Sequence, residues 1–217
     1  MILNQEVHNT FPIPIFVGKV ERRINKKTLD FVGDLKKIKQ DGSTLRSEDS
    51  FILDTPEMFP WKEEIEHYVN QSFYELMSPL SPLKLKITQS WTSYQESNEG
   101  LSVHRHTNSI LSGVFYLQVN PSEDVICFVK ERELFGNIEI PCKKFNQFNN
   151  NLLTFNVTDG MIILFPSTLH HFVPPNLGAK GTRISLAFNT FFEGQIGDKE
   201  NLNLSIVASE PKLQSDG

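Results

Sequence analysis

Four of the six histidines in this 217-residue chain fall into two tight groups, His104-Arg105-His106 and His170-His171. Neutral imidazole nitrogens ligate iron, zinc, copper and nickel, so clustered histidines suggest a transition-metal site without choosing the metal. On an extended strand, residues two apart face the same way, so His104 and His106 are expected to aim at one point. A third imidazole from a neighbouring strand would complete a facial set and leave positions open for substrate or oxygen. Adjacent strand residues point to opposite faces, so only one of His170 and His171 can reach that point, and the residues alone do not say which. An isolated His-x-His is more often incidental than metal-binding. Here both groups flank segments that read as β-strands, and that context favours a metal. His8 and His67 have no such context and are read as structural or surface residues.

A second pattern follows the distal pair. Thr182-Arg183-Ile184-Ser185-Leu186-Ala187-Phe188-Asn189 alternates, so Arg183, Ser185, Ala187 and Asn189 share a face. A buried arginine is costly unless paired, and an Arg–Ser pair on one face can grip a carboxylate, the arginine with a bidentate fork. The plain alternative is a surface arginine at a strand end.

The elements that must hold these residues divide the chain in two. Residues 12–20 read as an edge strand, with Pro12 and Pro14 near its start, where a missing N–H is tolerated. In 26–39, Leu29, Val32, Leu35 and Ile38 recur at three-residue spacing behind Asn25, a good N-cap. This predicts an amphipathic helix whose lysine run, Lys36-Lys37-Ile38-Lys39, is its solvated face. Asp41-Gly42-Ser43-Thr44 should end that helix, and 45–55 should be a loop. Pro60 should open a second helix whose buried face carries Trp61, Ile65, Tyr68, Val69, Phe73, Leu76 and Met77, with Pro79 and Pro82 as stops. From residue 84 the period becomes two. Leu85, Ile87, Gln89, Trp91 and Ser93 are expected on one face of a strand. Further strands are expected at 110–119, 124–130, 152–157, 160–166, 182–192 and 202–207, with turns between them. Two helices followed by many short strands predict a mainly β (α+β) fold, helices packed on a β-sandwich or barrel. We expect one domain over 1–217, with an N-terminal strand and supporting helices over 1–83 and the β core over 84–209. The polar tail from Glu210 to Gly217 should fray.

Composition sets the remaining bounds. The net charge is −5 and Lys and Arg are scattered, which argues against a non-specific nucleic-acid binder. Two cysteines, Cys127 and Cys142, are too few for a disulfide scaffold and suit reduced thiols in a cytoplasmic protein. The first residues lack the pattern of a signal peptide, and no apolar run approaches a membrane span, so a cytoplasmic, membrane-free protein is expected. The 17 phenylalanines, many in alternating runs, suit a β core filled with large side chains. Oligomeric state leaves no mark in the sequence.

Taken together, residues 89–190 resemble the double-stranded β-helix (jelly-roll) core of the Fe(II)/2-oxoglutarate-dependent oxygenases, and within them a branch known largely from marine bacteria and phages. The stretches that carry the resemblance are His104-Arg105-His106, Ile110 to Leu117, Gly160 to Ser167, His171 to Asn176 and Arg183 to Asn189, in that order and spacing. The resemblance implies Fe(II) and 2-oxoglutarate as cofactors, His104 as first iron ligand and His171, not His170, as the distal one. It implies that Arg183 holds the far carboxylate of 2-oxoglutarate with Ser185 beside it. Tyr116 would touch the same carboxylate or simply fill the core, and Gln89, Trp91 and Asn108 are candidates for the pocket lining. His106 departs from the broad superfamily, which has Asp or Glu there, and fits the branch. The implied reaction consumes O₂, converts 2-oxoglutarate to succinate and CO₂, and hydroxylates a prime substrate that no motif identifies. Two other readings stand beside it: a three-histidine, cupin-like metalloenzyme that does not use 2-oxoglutarate, and a non-catalytic β-sandwich that binds a ligand or partner.

Overall fold

The computed structural model describes residues 6, 8, 10–130, 138, 140–198, 200 and 204–207. In chain order the elements are β1 (Phe16–Lys19), α1 (Lys26–Asp34), β2 (Lys37–Asp41), β3 (Thr44–Ser47), a 3₁₀ turn (Ile52–Asp54), α2 (Phe59–Met77), β4 (Leu83–Gln95), β5 (Leu101–His104), β6 (Leu111–Gln118), β7 (Val125–Val129), β8 (Leu152–Asn156), β9 (Met161–Pro166), β10 (His171–Val173), β11 (Arg183–Ile196) and β12 (Leu204–Ile206). The strands form two antiparallel sheets. The larger runs β1-β9-β6-β11-β4-β3-β2, with β12 paired to the far end of β11, and the smaller runs β5-β10-β7-β8. This is the expected jelly-roll architecture. No helix among the described residues is long and apolar enough to cross a membrane.

Both faces of the larger sheet are covered, which explains why its strands read as nearly continuous apolar runs. Alternate residues sort into two cores. Phe115, Leu117, Ile162, Leu164, Ile184, Leu186 and Phe188 pack against the helices, with Trp61, Ile65, Val69 and Phe73 from α2 and Val32 from α1. Tyr116, Ile163 and Phe165 point the other way and meet Ile126 and Phe128 of the smaller sheet. The Trp61 and Phe115 rings lie 5.3 Å apart where α2 crosses β6. Further along α2, Asn70 fastens the helix to β4, donating to Leu85 O and accepting from Leu85 N, both at 2.9 Å. The Tyr94 hydroxyl donates to Val32 O, tying β4 to α1. The odd residues of β11 are thereby left for the interior between the sheets.

Gly113, in the middle of β6, is required by packing. A Cβ there would sit 2.1 Å from Phe188 Cζ and 2.7 Å from Leu164 Cδ2, both in side chains with no freedom to retreat. Gly113→Ala should therefore destabilise the fold by about 1–3 kcal/mol, the usual cost of overpacking a core, read as a fall in the midpoint of denaturant unfolding.

Four expectations are corrected. The first helix stops at Asp34, and Lys37 to Lys39 of the lysine run belong to β2, joined to β3 through Gly42 at φ +58°. Asn25 caps the helix as expected, its side chain accepting from Thr28 N. At the other end the Lys37 ammonium donates to Gly33 O and Leu35 O, satisfying carbonyls the helix leaves open. Lys36 and Lys39 are exposed at this edge of the sheet, where charge blocks edge-to-edge pairing. Second, 45–55 is not a plain loop: it contains β3 and the 3₁₀ turn, whose Ile52 and Leu53 are fully buried. Third, Leu76 and Met77, at the end of α2, are exposed rather than part of its packed face. Fourth, β4 changes phase. Asn189 pairs with Gln89 but Thr190 pairs with Ile87, so Thr88 is an extra residue. Leu85 and Ile87 therefore face the helices while Gln89 and Trp91 face the interior, a switch that a bulge produces and strict alternation does not predict. The residues expected to fray, 210–217, lie outside the described part of the chain.

Candidate functional site

His104 ends β5 and His171 begins β10, and the two are directly opposed in the antiparallel ladder. Their rings lie 4.3 Å apart between centroids. His106 lies beyond the end of β5, so strand alternation is not what aims it. Its backbone N–H donates to Ser167 O at 2.9 Å, outside the ladder, and its ring lies parallel to that of His171 at 6° and 5.2 Å. The Nε2 atoms of His106 and His171 are 3.4 Å apart, and one ring nitrogen from each of the three histidines falls within 4.8 Å of the others. His170 is not in this cluster. Its carbonyl accepts from Val129 N, part of the join between β10 and β7.

Two of the three imidazoles are oriented by backbone. His104 Nδ1 lies 2.8 Å from Ser102 O and His171 Nδ1 lies 3.0 Å from Leu169 O. A carbonyl can only accept, so each Nδ1 carries the proton and each Nε2 is left with its lone pair, the tautomer a metal needs. The loop holding His106 is anchored by a buried polar row. Gln89, Asn189, Ser112, Ser167 and Ser109 are linked by hydrogen bonds of 2.7–3.2 Å across β4, β11, β6 and the end of β9. Behind His171 stand Phe165 and Phe128, at 4.6 and 6.0 Å between centroids, and beside His106 stands Trp91 at 5.7 Å.

This apolar packing sets the acid–base behaviour. Burial, with a smaller contribution from His104, lowers His106 from the usual 6.5 to about 4, and burial lowers His171 to about 3. Both are neutral at pH 7 and available as ligands. In the unfolded chain they protonate near 6.5, so below that pH the unfolded state binds more protons than the folded one. Their contribution to the stability of the metal-free protein is complete above 6.5 and is lost progressively as pH falls toward the folded values. Urea midpoints of the metal-free protein should thus fall steadily from pH 7 to 4, and His106→Gln should flatten that fall.

Further along the same interior lies a second polar group. Arg183, 3 % exposed, opens β11 opposite Gln95 of β4, and Ser185 is paired with both Ser93 and Tyr116. The Arg183 guanidinium carbon lies 5.2 Å over the Tyr116 ring, and Arg183 Nη1 donates to Val125 O at 2.9 Å. Among the described residues it makes no ion pair. The nearby buried carboxylate, Asp124, is already occupied by Asn120 N at 2.7 Å and Asn176 Nδ2 at 2.9 Å. Of the six buried side-chain atoms without a hydrogen-bond partner among the described residues, five face this interior: Trp91 Nε1, Gln95 Nε2 and Oε1, Tyr116 Oη and Arg183 Nε. Native interiors rarely waste polar groups in this way, and five on one surface mark a polar pocket suited to water or a polar ligand. Burial outweighs the opposing Arg183 charge and pushes Tyr116 up to about 12, so its hydroxyl stays a donor.

The structure thus groups His104, His106 and His171 as one cluster and Arg183, Ser185 and Tyr116 as a second. Trp91 stands beside the first, and Gln89 joins the polar row that supports it. Sequence reasoning missed Gln95. Its signal was present, since Trp91, Ser93 and Gln95 alternate on one face, but a glutamine at a strand end reads as solvated. A roomier surface cavity, lined by Arg22, Arg23, Lys27 and Trp61, sits at the helices, remote from these clusters.

Comparison with known proteins agrees with this geometry. HygX from Streptomyces hygroscopicus, solved with nickel and 2-oxoglutarate bound, is similar with a TM-score of 0.56 at 12 % identity, over 82 % of each chain. SnoN, the non-heme alpha ketoglutarate dependent epimerase from nogalamycin biosynthesis, is similar with a TM-score of 0.59 at 9 % identity, over 82 % of this chain and 78 % of its own. At such identities the likeness is one of fold. No curated protein matches the chain by sequence. Residues 89–189, which run from the interior face of β4 through all three clustered histidines to Asn189, match the family described as "Putative 2OG-Fe(II) oxygenase". Over that stretch, which carries every residue of the two clusters, the chain is similar to the Fe(II)/2-oxoglutarate-dependent oxygenases.

Proposed function

We propose that this protein is an Fe(II)- and 2-oxoglutarate-dependent oxygenase in which His104, His106 and His171 hold the iron and Arg183, with Ser185 and Tyr116, holds the far carboxylate of 2-oxoglutarate. The observation that carries this is the buried, unpaired guanidinium of Arg183 among orphaned polar atoms, on the face that also meets the histidines. A charge so placed calls for an anion in contact with it, and the nearby Asp124 carboxylate is held instead by Asn120 and Asn176. The donor set fits iron: three neutral imidazoles on one side of a point, two of them tethered through Nδ1. Because all three ligands are neutral, the full dipositive charge of the ion remains, and a dicarboxylate dianion is the complement to it. When bound, iron and 2-oxoglutarate supply the oxidative chemistry, in which O₂ is consumed and 2-oxoglutarate becomes succinate and CO₂. The chain's own residues hold and orient. Arg183 forks onto a carboxylate, Tyr116 donates to it as a neutral phenol, and Phe128 and Phe165 keep water from the His171 side.

Membership of the marine-bacterial and phage branch rests on His106 in the middle ligand position. The prime substrate is open, and hygromycin B, found bound in a HygX structure, belongs to that protein. The test is anaerobic titration of the Fe(II)-loaded protein with 2-oxoglutarate. A weak visible charge-transfer band, followed by succinate formation when O₂ is admitted, is the expected result. Iron binding with no band would favour a three-histidine metalloenzyme that does not use 2-oxoglutarate.

A further inference from the structure

We infer that Gln95 is a specificity-determining residue of the cosubstrate seat, its carboxamide joining Arg183 to the ligand carboxylate. The inference rests on the function proposed above and adds a residue to it. Gln95 and Arg183 are direct partners in the β4–β11 ladder, so their side chains rise beside each other from one face. Both line one narrow cleft, together with Asp124, Val173 and Asn176. Gln95 is 4 % exposed, and both its amide nitrogen and its amide oxygen are buried with no hydrogen-bond partner among the described residues.

A buried carboxamide that uses neither end is the least economical way to fill space in a strand; leucine or methionine would fill it without loss. The two unused ends match what is unspent nearby. Gln95 Oε1 is an acceptor, and Arg183 Nε–H is a buried donor without a partner. Gln95 Nε2 is a donor, and a carboxylate gripped by the guanidinium is an acceptor within the same cleft. With a ligand in place, the amide accepts from Arg183 and donates to the carboxylate, fixing the plane of the guanidinium and reading the anion at once. The level of Gln95 and Arg183 lies four residues along the strands from that of Trp91 and Ala187, beside His106. That is roughly 13 Å of extended backbone, of which the arginine and histidine side chains reaching inward take up part and a short dicarboxylate would bridge the rest. A 2-oxo acid without the far carboxylate gains nothing from Gln95, so the residue should act on the choice between the two.

The experiment is calorimetric titration of the anaerobic Fe(II)-loaded protein with 2-oxoglutarate and, separately, with 2-oxobutyrate, for wild type, Gln95→Leu and Gln95→Glu. Iron stoichiometry and thermal midpoint are measured on each protein. We expect Gln95→Leu to bind 2-oxoglutarate about 10- to 100-fold more weakly, the loss of a hydrogen bond to a charged group, with 2-oxobutyrate and iron unchanged. Gln95→Glu should lose at least as much, because its own carboxylate would take the guanidinium. Should Gln95→Leu misfold, Gln95→Glu, which keeps shape and polarity, still decides. Wild-type affinity for 2-oxoglutarate in both variants would overturn the inference while leaving the proposed function standing. If Gln95→Leu weakened both acids equally, Gln95 would be a packing residue and the inference would fail. If the wild-type protein bound iron but neither acid, the function itself would fall, and Gln95 with it.

Discussion

Arg183→Ala is expected to weaken 2-oxoglutarate binding by at least about 30-fold with iron binding intact. Truncating one partner of a buried, hydrogen-bonded charge pair typically costs 2–5 kcal/mol, much of it from the charge left alone. Here the ligand carboxylate would be left alone, in a cavity where only Tyr116, Ser185 and Gln95 offer neutral contacts. Arg183→Lys should recover part of the affinity, since an ammonium supplies charge but not the fork. The ligand-free protein should behave in the opposite sense. With no ion pair among the described residues and one hydrogen bond to Val125 O, the wild-type guanidinium is a burden on the empty fold. Arg183→Met, which fills the same space, should therefore unfold at the same or a higher temperature than wild type. A purely structural arginine would show the reverse, a loss of thermal midpoint with no effect on binding. The two measurements together separate a ligand anchor from a core ion.

Why some of this could be read from residues and some could not is a matter of range. Alternation is local, and where a strand is long and covered on both faces it is also reliable. Arg183, Ser185 and Asn189 could be placed on one side and Ile184, Leu186 and Phe188 on the other from spacing alone, and the two cores divide in that way. The pairing of His104 with His106 was legible from spacing, while the choice of His171 over His170 came from the resemblance, and the cause was partly wrong: His106 is aimed by a backbone bond to Ser167, sixty-one residues away, which no local pattern encodes. The short strands β5 and β10 escaped notice, because four and three residues do not make a period. The helix that should have run to Ile38 shows the opposite failure. Three-residue spacing continued past Asp34 by coincidence, while pairing between Lys37–Asp41 and Thr44–Ser47 claimed those residues for the sheet. The bulge at Thr88 is likewise set by the partner strand, and it decides that Trp91 and Gln95 face the interior. Tertiary pairing overrode local propensity in each case, and the residues most affected lie close to the site.

The three histidines should not be equivalent under mutation. His104→Ala and His171→Ala are each expected to cut iron affinity by at least about 100-fold, since disturbing even the outer partners of a metal ligand commonly costs 10- to 100-fold. These two face each other across β5 and β10 and are both tethered by carbonyls, so no neighbour can replace either. Oxygen-dependent conversion of 2-oxoglutarate to succinate should fall to background in both. His170→Ala should bind iron as wild type does, because its side chain is outside the cluster. His106→Ala should weaken iron binding, but His106→Asp should not, since it restores the carboxylate that the broad superfamily carries at this position. That variant has a second consequence. An anionic ligand lowers the net charge at the metal from two to one and adds a negative group close to where a dianion must sit. Coulomb repulsion in a half-buried site then favours iron and disfavours 2-oxoglutarate at the same time. Equilibrium iron titration followed by 2-oxoglutarate titration on His106→Asp should show iron affinity held or raised and cosubstrate affinity reduced. If both instead remained at wild-type values, the neutral imidazole would have no electrostatic part in the site, and its nitrogen would serve geometry alone.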